Sequence, residues 1–418
     1  MSYLKKIKKR YKYNGFINGT KYYFFCLVGS IHIIFSGFLD IISNAVFFVE
    51  KHLPIKENIV FECESDFADN PRVFYEYIKN KTDFLNKHKA IWLVNKVDYC
   101  NEHFGTKNVL FFNRNNSKLV NRIKLNYFLG TSKWFIFSHP YWFTNWREKQ
   151  IVINVSHGIS QMKGISVTSI KAFDYAICTC SYTAPFIAMS FNCDPRIIIG
   201  LGIPRIDDLF CKDIVVDRLI PNYIDQKIIL SMETFKQAKN FKDSESLDAF
   251  SINVIHRIDE LLALDHFLQQ ENCFLIVKIH PLQDVSLLKQ MNLTNIFYFT
   301  NDDLLYADIR INQLLTNADI LLTDYSSVFY DYLFVNRPIG FMVSDIEKYS
   351  RGFVYDNPLD EMPGKKIHQL DELKCFITES LKGKDSFIDE RKRILEKVIH
   401  YKDGNNCERL YNWINSLD

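Results

Sequence analysis

The chain has 418 residues, more than the roughly 100–200 of a typical domain, so two domains are expected. Its 47% hydrophobic and 24% charged residues exclude wholesale disorder, and 51 basic against 49 acidic side chains exclude a protein that coats nucleic acid through its net charge. The ten cysteines form no CxxC pair of the kind that holds zinc and read as reduced, mostly buried thiols of a cytoplasmic protein.

Lys5, Lys6, Lys8, Lys9, Arg10 and Lys12 crowd the amino terminus, and Tyr22 to Leu39 then contains no Asp, Glu, Lys or Arg. That apolar run is too long for a secretory signal, and no small-residue cleavage site follows it. It sits at the lower edge of the roughly 17–25 residues that a membrane span needs. His32, Ser36, Asp40 and Ser43 with Asn44 recur at intervals of three or four, which puts them on one helical face. An amphipathic helix behind a basic leader suits the cytoplasmic interface of a membrane better than a crossing, with the lysines drawn to anionic lipid heads. Residues 1–57 are therefore read as a membrane-associating segment.

From Asn58 onward short β-rich runs alternate with longer amphipathic stretches, the pattern of an α/β fold with parallel sheets covered by helices. Predicted strands run Ile59 to Phe61, Ile91 to Val94, Val109 to Phe112, Trp134 to Phe137, Ile151 to Val155, Tyr175 to Cys178 and Ile197 to Ile199. A helix is expected over Pro71 to Lys79. A second series follows at Lys227 to Leu230, Cys273 to Ile279, Ile296 to Phe299, Ile320 to Leu322 and Ile339 to Val343. Between them, Asp207 to Asp225 is charged and weakly periodic, with Pro204 just before it and Pro221 inside it. This divides the chain into domains at 58–215 and 216–418, with a charged helix over Ser386 to Lys402 packing back across the boundary. Two doubly wound, Rossmann-like domains facing a cleft would bind ligands at the carboxyl ends of their strands.

The segment from Asp319 to Tyr332, followed by Arg337-Pro338-Ile339-Gly340-Phe341, reads as strand, tight turn, helix and strand. Its apolar run ends at Thr323 and Asp324, Ser326 or Ser327 caps the helix, and Pro338 stops it. Free N–H groups at that helix start, with the hydroxyls of Thr323, Ser326 and Ser327 beside them, would suit a pyrophosphate; the same residues would equally serve as plain caps. Two histidines stand where strand-like runs end: His157, followed by Gly158, and His280, followed by Pro281. Either could be a hydrogen-bonded structural residue, but both would open onto the cleft of parallel sheets. Moving a phosphoryl group from a nucleotide diphosphate to an alcohol needs a base for the hydroxyl and groups that hold the departing charge, and an imidazole serves near neutrality.

With Thr323-Asp324-Tyr325-Ser326-Ser327 in view, the chain resembles the CDP-glycerol glycerophosphotransferase family of teichoic-acid and capsule synthesis, which has the GT-B fold. The resemblance takes in Asp69-Asn70-Pro71-Arg72, His157-Gly158 and the stretch Gly202 to Phe210. In the second half it takes in Thr234-Phe235-Lys236, Lys278-Ile279-His280-Pro281, Asp319 to Phe341, Arg351-Gly352 and Asp403-Gly404, in the same order throughout. It implies that His157 is the general base for the acceptor hydroxyl and that His280 assists at the donor phosphates. It further implies that Thr323, Ser326 and Ser327 hold the pyrophosphate together with Lys236, that Asp324 belongs to the donor-binding set, that Asp331 meets the nucleotide ribose, and that Gly158, Lys163 and Arg205 lie on the acceptor side or in the cleft.

Two departures bear on specificity. The loop His157-Gly158-Ile159-Ser160-Gln161-Met162-Lys163-Gly164 is one lysine and one residue short of the family's pattern, on the acceptor side. Lys236 stands where the family has arginine and loses bidentate phosphate geometry. The resemblance implies transfer of glycerol phosphate from CDP-glycerol to a lipid-linked or polymeric surface glycan at the cytoplasmic face of the membrane, with release of CMP. The alternatives are a GT-B enzyme using CDP-ribitol or a nucleotide sugar, and a membrane-tethered scaffold without activity. Asp207-Asp208 and Asp302-Asp303 read as loop or cap residues, so donor binding is expected without a metal or other cofactor.

Overall fold

The structure, a computed structural model, describes residues 52–81, 83–114, 118–139, 146–159, 162–164, 173–220, 223–234, 250–279, 288, 291–349 and 352–417. The predicted membrane-associating segment up to residue 51, and the predicted site residues Lys236 and His280, lie outside the described residues. Among the described residues no helix is long and apolar enough to cross a membrane.

Each half of the chain builds a parallel sheet. The first lobe contains β1 (Lys56–Glu62), β2 (Ala90–Leu93), β3 (Val109–Phe112), β4 (Ser132–Phe137), β5 (Ile151–Asn154), β6 (Tyr175–Cys178) and β7 (Ile198–Gly200), in the spatial order β3-β2-β1-β4-β5-β6-β7. The second lobe contains β8 (Lys227–Met232), β9 (Cys273–Lys278), β10 (Ile296–Phe299), β11 (Ile320–Thr323), β12 (Ile339–Met342) and β13 (Lys365–Ile367), in the order β10-β9-β8-β11-β12-β13. All the pairings are parallel. Strands β2, β11 and β12 are buried along their whole length, as their mostly apolar sequences require when helices cover both faces. Sequence reading missed β13, an edge strand whose Lys365-Lys366-Ile367 offers a single apolar residue.

The strand order reverses direction between β1 and β4 in one lobe and between β8 and β11 in the other. Crevices open at such switch points, so the topology alone selects the carboxyl ends of these four strands as ligand sites.

The charged connection between the sheets is more than a solvated tether. Its Pro204–Phe210 stretch forms a 3-10 helix that buries Pro204, Arg205, Ile206 and Asp208, and Val215, Val216 and Ile220 are buried after it. These apolar residues belong to a core that runs from Phe61 and Trp92 in the first lobe to Phe329 and Leu333 in the second. Of the helices that matter to the site, α1 (Asp69–Lys81) packs on the Pro204–Phe210 turn, which also contacts α2 (Ile311–Asn317) of the second lobe. In the other lobe α3 (Val328–Tyr332) follows β11 directly.

The carboxy-terminal region is two helices, α4 (Ile388–Val398) and α5 (Asn406–Asn415), where one was expected. Both reach the first lobe: the Val398 carbonyl accepts from Thr179 Oγ1 at 2.7 Å, and the Asp207 carboxylate accepts the Asn406 and Cys407 N–H groups at 2.9 and 2.8 Å, capping α5 from a distant segment.

Candidate active site

Strands β1, β4 and β5 are neighbours with Glu62 opposite Phe137 and Phe137 opposite Asn154, so the residues just past their ends gather at one rim. These are Glu64, His139 and His157. His139 Nε2 lies 2.9 Å from Glu64 Oε2, and the His139 and His157 rings are tilted against each other with centroids 4.5 Å apart.

The turn that carries His157 is braced at several points. Ser156 adopts φ +63°, its N–H donates to Asn154 Oδ1 at 2.8 Å, its hydroxyl donates to the Gly158 carbonyl at 2.7 Å, and its own carbonyl accepts from Asn70 Nδ2 at 2.9 Å. Enclosure by protein, with His139 alongside and the charge of Arg205 adding to it, outweighs the pull of Asp69 and a hydrogen bond to the Ser138 backbone, and lowers the His157 pKa to about 4. The residue keeps an exposed side, which lets solvent temper the enclosure without changing its direction. A neutral imidazole at physiological pH has a lone pair available to accept a proton.

Arg205 is the node of the site. It donates to Asp69 Oδ1 at 3.2 Å and to the His157 carbonyl at 2.6 Å, and its other arm meets Asp331 Oδ2 of the opposite lobe at 2.6 Å. Burial opposes the charge of Arg205, but Asp331 and Asp69 outweigh it and raise the pKa of the guanidinium. For Asp69, burial is likewise outweighed, by Arg205 and the two imidazoles, and its pKa is lowered. For Asp331 burial wins and pushes the pKa up to about 6 against the pull of Arg205. The two carboxylates differ because Asp69 has the two imidazoles beside it as well as Arg205, whereas the imidazoles do not reach Asp331 and Asp69 itself raises its pKa.

In the second lobe several predicted donor ligands serve the loop itself. Thr323 is fully buried and its hydroxyl donates to the Met232 carbonyl at 2.7 Å. Asp324, also fully buried, accepts from the N–H and hydroxyl of Thr234, both at 2.9 Å, and from the Ser326 N–H at 3.0 Å. Asp331, the residue expected at the ribose, faces Arg205 with 1% of its side chain exposed and joins the lobes. Ser327 makes no side-chain cap hydrogen bond to the five-residue α3, and Asp324 holds the turn before it through the Ser326 N–H. Ser326 and Ser327 remain half-buried at that turn.

The lobes meet through this loop. Gly158 has φ +147°, and a Cβ there would lie 2.8 Å from Arg205 Nη2 and 3.0 Å from Ser327 Oγ. Lys163 pairs with Phe353 as an antiparallel bridge, flanked by Gly164 N–H to Gly352 O at 2.8 Å and Val354 N–H to Met162 O at 3.1 Å. Arg310 of the second lobe grips Asp208 of the first through two nitrogens, both reaching 2.8 Å. Between the lobes lies a cavity of about 240 Å³ whose walls include Asp69, His139, His157 and Arg205 on one side and Met232 and Lys278 on the other. A larger cavity of about 420 Å³, near Ile59, Phe74, Trp134 and Tyr411, holds none of the predicted site residues.

Residues 45–416 match the family described as CDP-glycerol:poly(glycerophosphate) glycerophosphotransferase. The chain belongs to this family. It is 26% identical to the teichoic acid ribitol-phosphate polymerase TarK of Staphylococcus aureus over 88% of its own length and 70% of the relative's. It is also 26% identical to a teichoic acid poly(glycerol phosphate) polymerase of Bacillus subtilis, over 98% of its own length but only 55% of the relative's. The wall teichoic acid polymerase TagF has the same fold, with a TM-score of 0.68 at 19% identity over 90% of this chain and 93% of that one.

Within this family frame, the structure brings His157, Gly158, Arg205, Asp331, Ser326 and Ser327 together across the lobes, and Lys163 ties the loop between them. Sequence reading assigned no role to His139, Glu64, Asp69 or Lys278, all of which line the cavity. His139 carried a usable signal, since it follows the strand Trp134 to Phe137 and precedes Pro140 just as His280 precedes Pro281.

Proposed function

We propose that this chain transfers glycerol phosphate from CDP-glycerol to a hydroxyl of a lipid-linked or polymeric cell-surface glycan, releasing CMP. The observation that carries the reading is the His157 imidazole at the inter-lobe cavity, with Gly158 against Ser327 of the opposite lobe. The acceptor hydroxyl gives its proton to the free nitrogen of His157 while its oxygen bonds to the second phosphorus of the donor. The bond from that phosphorus to the bridging oxygen breaks, and the electron pair leaves with CMP. Family membership supports the reaction class, and TagF has been solved with CDPG. The basic leader and amphipathic run support peripheral attachment to the cytoplasmic face of a membrane, which would set the enzyme beside a lipid-anchored acceptor.

CMP release from CDP-glycerol by the wild type, His157→Ala and His280→Ala proteins tests the reading. Release by the wild type and its loss in His157→Ala are expected, at the same rate with or without chelator, because donor binding is proposed to need no metal. A folded wild type that releases none would leave a scaffold. The similarity to a ribitol-phosphate polymerase favours one second reading, a CDP-ribitol donor. Turnover of CDP-ribitol with CDP-glycerol ignored would establish it.

A further inference from the structure

Lys278 is the last residue of β9 and half-buried, and it lines the inter-lobe cavity across from His157. Among the described residues no acceptor lies within hydrogen-bond distance of its ammonium. The acids that face it are already engaged: Glu64 meets His139, and Asp69 meets Arg205. Both attract Lys278 from a distance, yet burial prevails and lowers its pKa. An ammonium withdrawn from water without a contact ion costs free energy that an arriving anion returns, so this position is prepared for one.

We propose that Lys278 binds the non-bridging oxygens of the donor's second phosphate, the one transferred to the acceptor. The assignment rests on the glycerophosphate-transfer reading and deepens it, because it gives the donor a direction. Strands β9 and β11 flank β8, so their ends stand about 10 Å apart at the usual strand spacing. A nucleoside diphosphate whose first phosphate sits at the Ser326–Ser327 turn after β11 extends its second phosphate toward β9. There Lys278 meets it from one lobe while His157 activates the acceptor hydroxyl from the other. In the transition state charge spreads over the equatorial oxygens of the transferring group, where a fixed ammonium in a sheltered cavity is most effective.

CDP and CMP differ by that second phosphate alone, so their relative affinities isolate the contact. The full chain and its Lys278→Met and Lys278→Arg variants would be titrated calorimetrically with CMP, CDP and CDP-glycerol, and assayed for CMP release and thermal unfolding. In Lys278→Met the preference for CDP over CMP should fall at least about tenfold and kcat about 100-fold, with CMP affinity and the unfolding temperature nearly unchanged. Lys278→Arg should recover part of the preference. An active wild type whose CDP-to-CMP preference survives in Lys278→Met overturns the assignment alone. So does a parallel loss of CMP affinity, CDP affinity and thermal stability, which would mark a structural lysine. A wild type that neither binds CDP-glycerol nor releases CMP overturns the transfer reading and this assignment with it.

Discussion

Gly158→Ala tests whether the approach of the two lobes at the His157 turn governs activity. At φ +147° an alanine occupies a backbone region that costs about 1–3 kcal/mol. Its Cβ would also meet Arg205 Nη2 at 2.8 Å and Ser327 Oγ at 3.0 Å, and overpacking of this kind costs typically about 1–3 kcal/mol more. The strain has an obvious outlet. Arg205 can swing away, but it then gives up Asp331 and the His157 carbonyl and releases the turn that holds the imidazole. If about 3 kcal/mol of this falls on the site geometry, kcat drops by about 100-fold or more, since 1.36 kcal/mol corresponds to tenfold in rate.

Gly383→Ala separates the two contributions: Gly383 has φ +76° and open space where a Cβ would go, so the backbone cost of about 1–2 kcal/mol appears there alone. CMP release and thermal unfolding of both variants form the assay, with a large kcat loss expected only in Gly158→Ala. A folded Gly158→Ala protein within twofold of wild-type kcat would refute the reasoning, and equal kcat losses in the two variants would reduce it to a general stability effect.

The lowered pKa of His157 places the acid limb of its proposed base function at about pH 4. The neutral form predominates above that value, so His157 adds no limb to kcat/KM near pH 6.5; the limb expected in that region is that of Asp331, centred at about 6, and a limb near 6.5 that persists in Asp331→Asn would contradict the described surroundings. Arg310→Ala leaves Asp208 buried without its cation; burial already raises the pKa of that carboxyl despite Arg310, so its charge depends on the pair. Removing one partner of a buried pair costs about 3–5 kcal/mol, which should appear as a clear fall in the unfolding temperature, and an unchanged transition would show that the lobes do not depend on this contact.

The strands were legible because in a parallel sheet covered on both faces they appear as apolar runs such as Ala90–Leu93 and Ile339–Met342. The same rule fails at β13, where an edge position tolerates two lysines. His157 was legible for a related reason, since a histidine at the end of such a run in an α/β fold emerges at the crevice. Applied evenly, that rule also selects His139, which follows β4.

Thr323, Asp324 and Asp331 were harder to read, and the reason is physical. A polar residue at a strand end or one turn into a helix must find a partner if it is buried, and either a ligand or a distant stretch of chain can supply it. Sequence shows the need but not the partner. Here the chain supplies at least one partner to each: the Met232 carbonyl takes the Thr323 hydroxyl, Thr234 and the Ser326 N–H take one oxygen of Asp324, and Arg205 takes one oxygen of Asp331. The converse criterion locates chemistry more reliably, because polar groups at the cavity whose needs the protein leaves unmet are those a substrate can satisfy. By that measure His157 and Lys278, which line one cavity from opposite lobes, are the groups proposed to meet the acceptor hydroxyl and the donor phosphate.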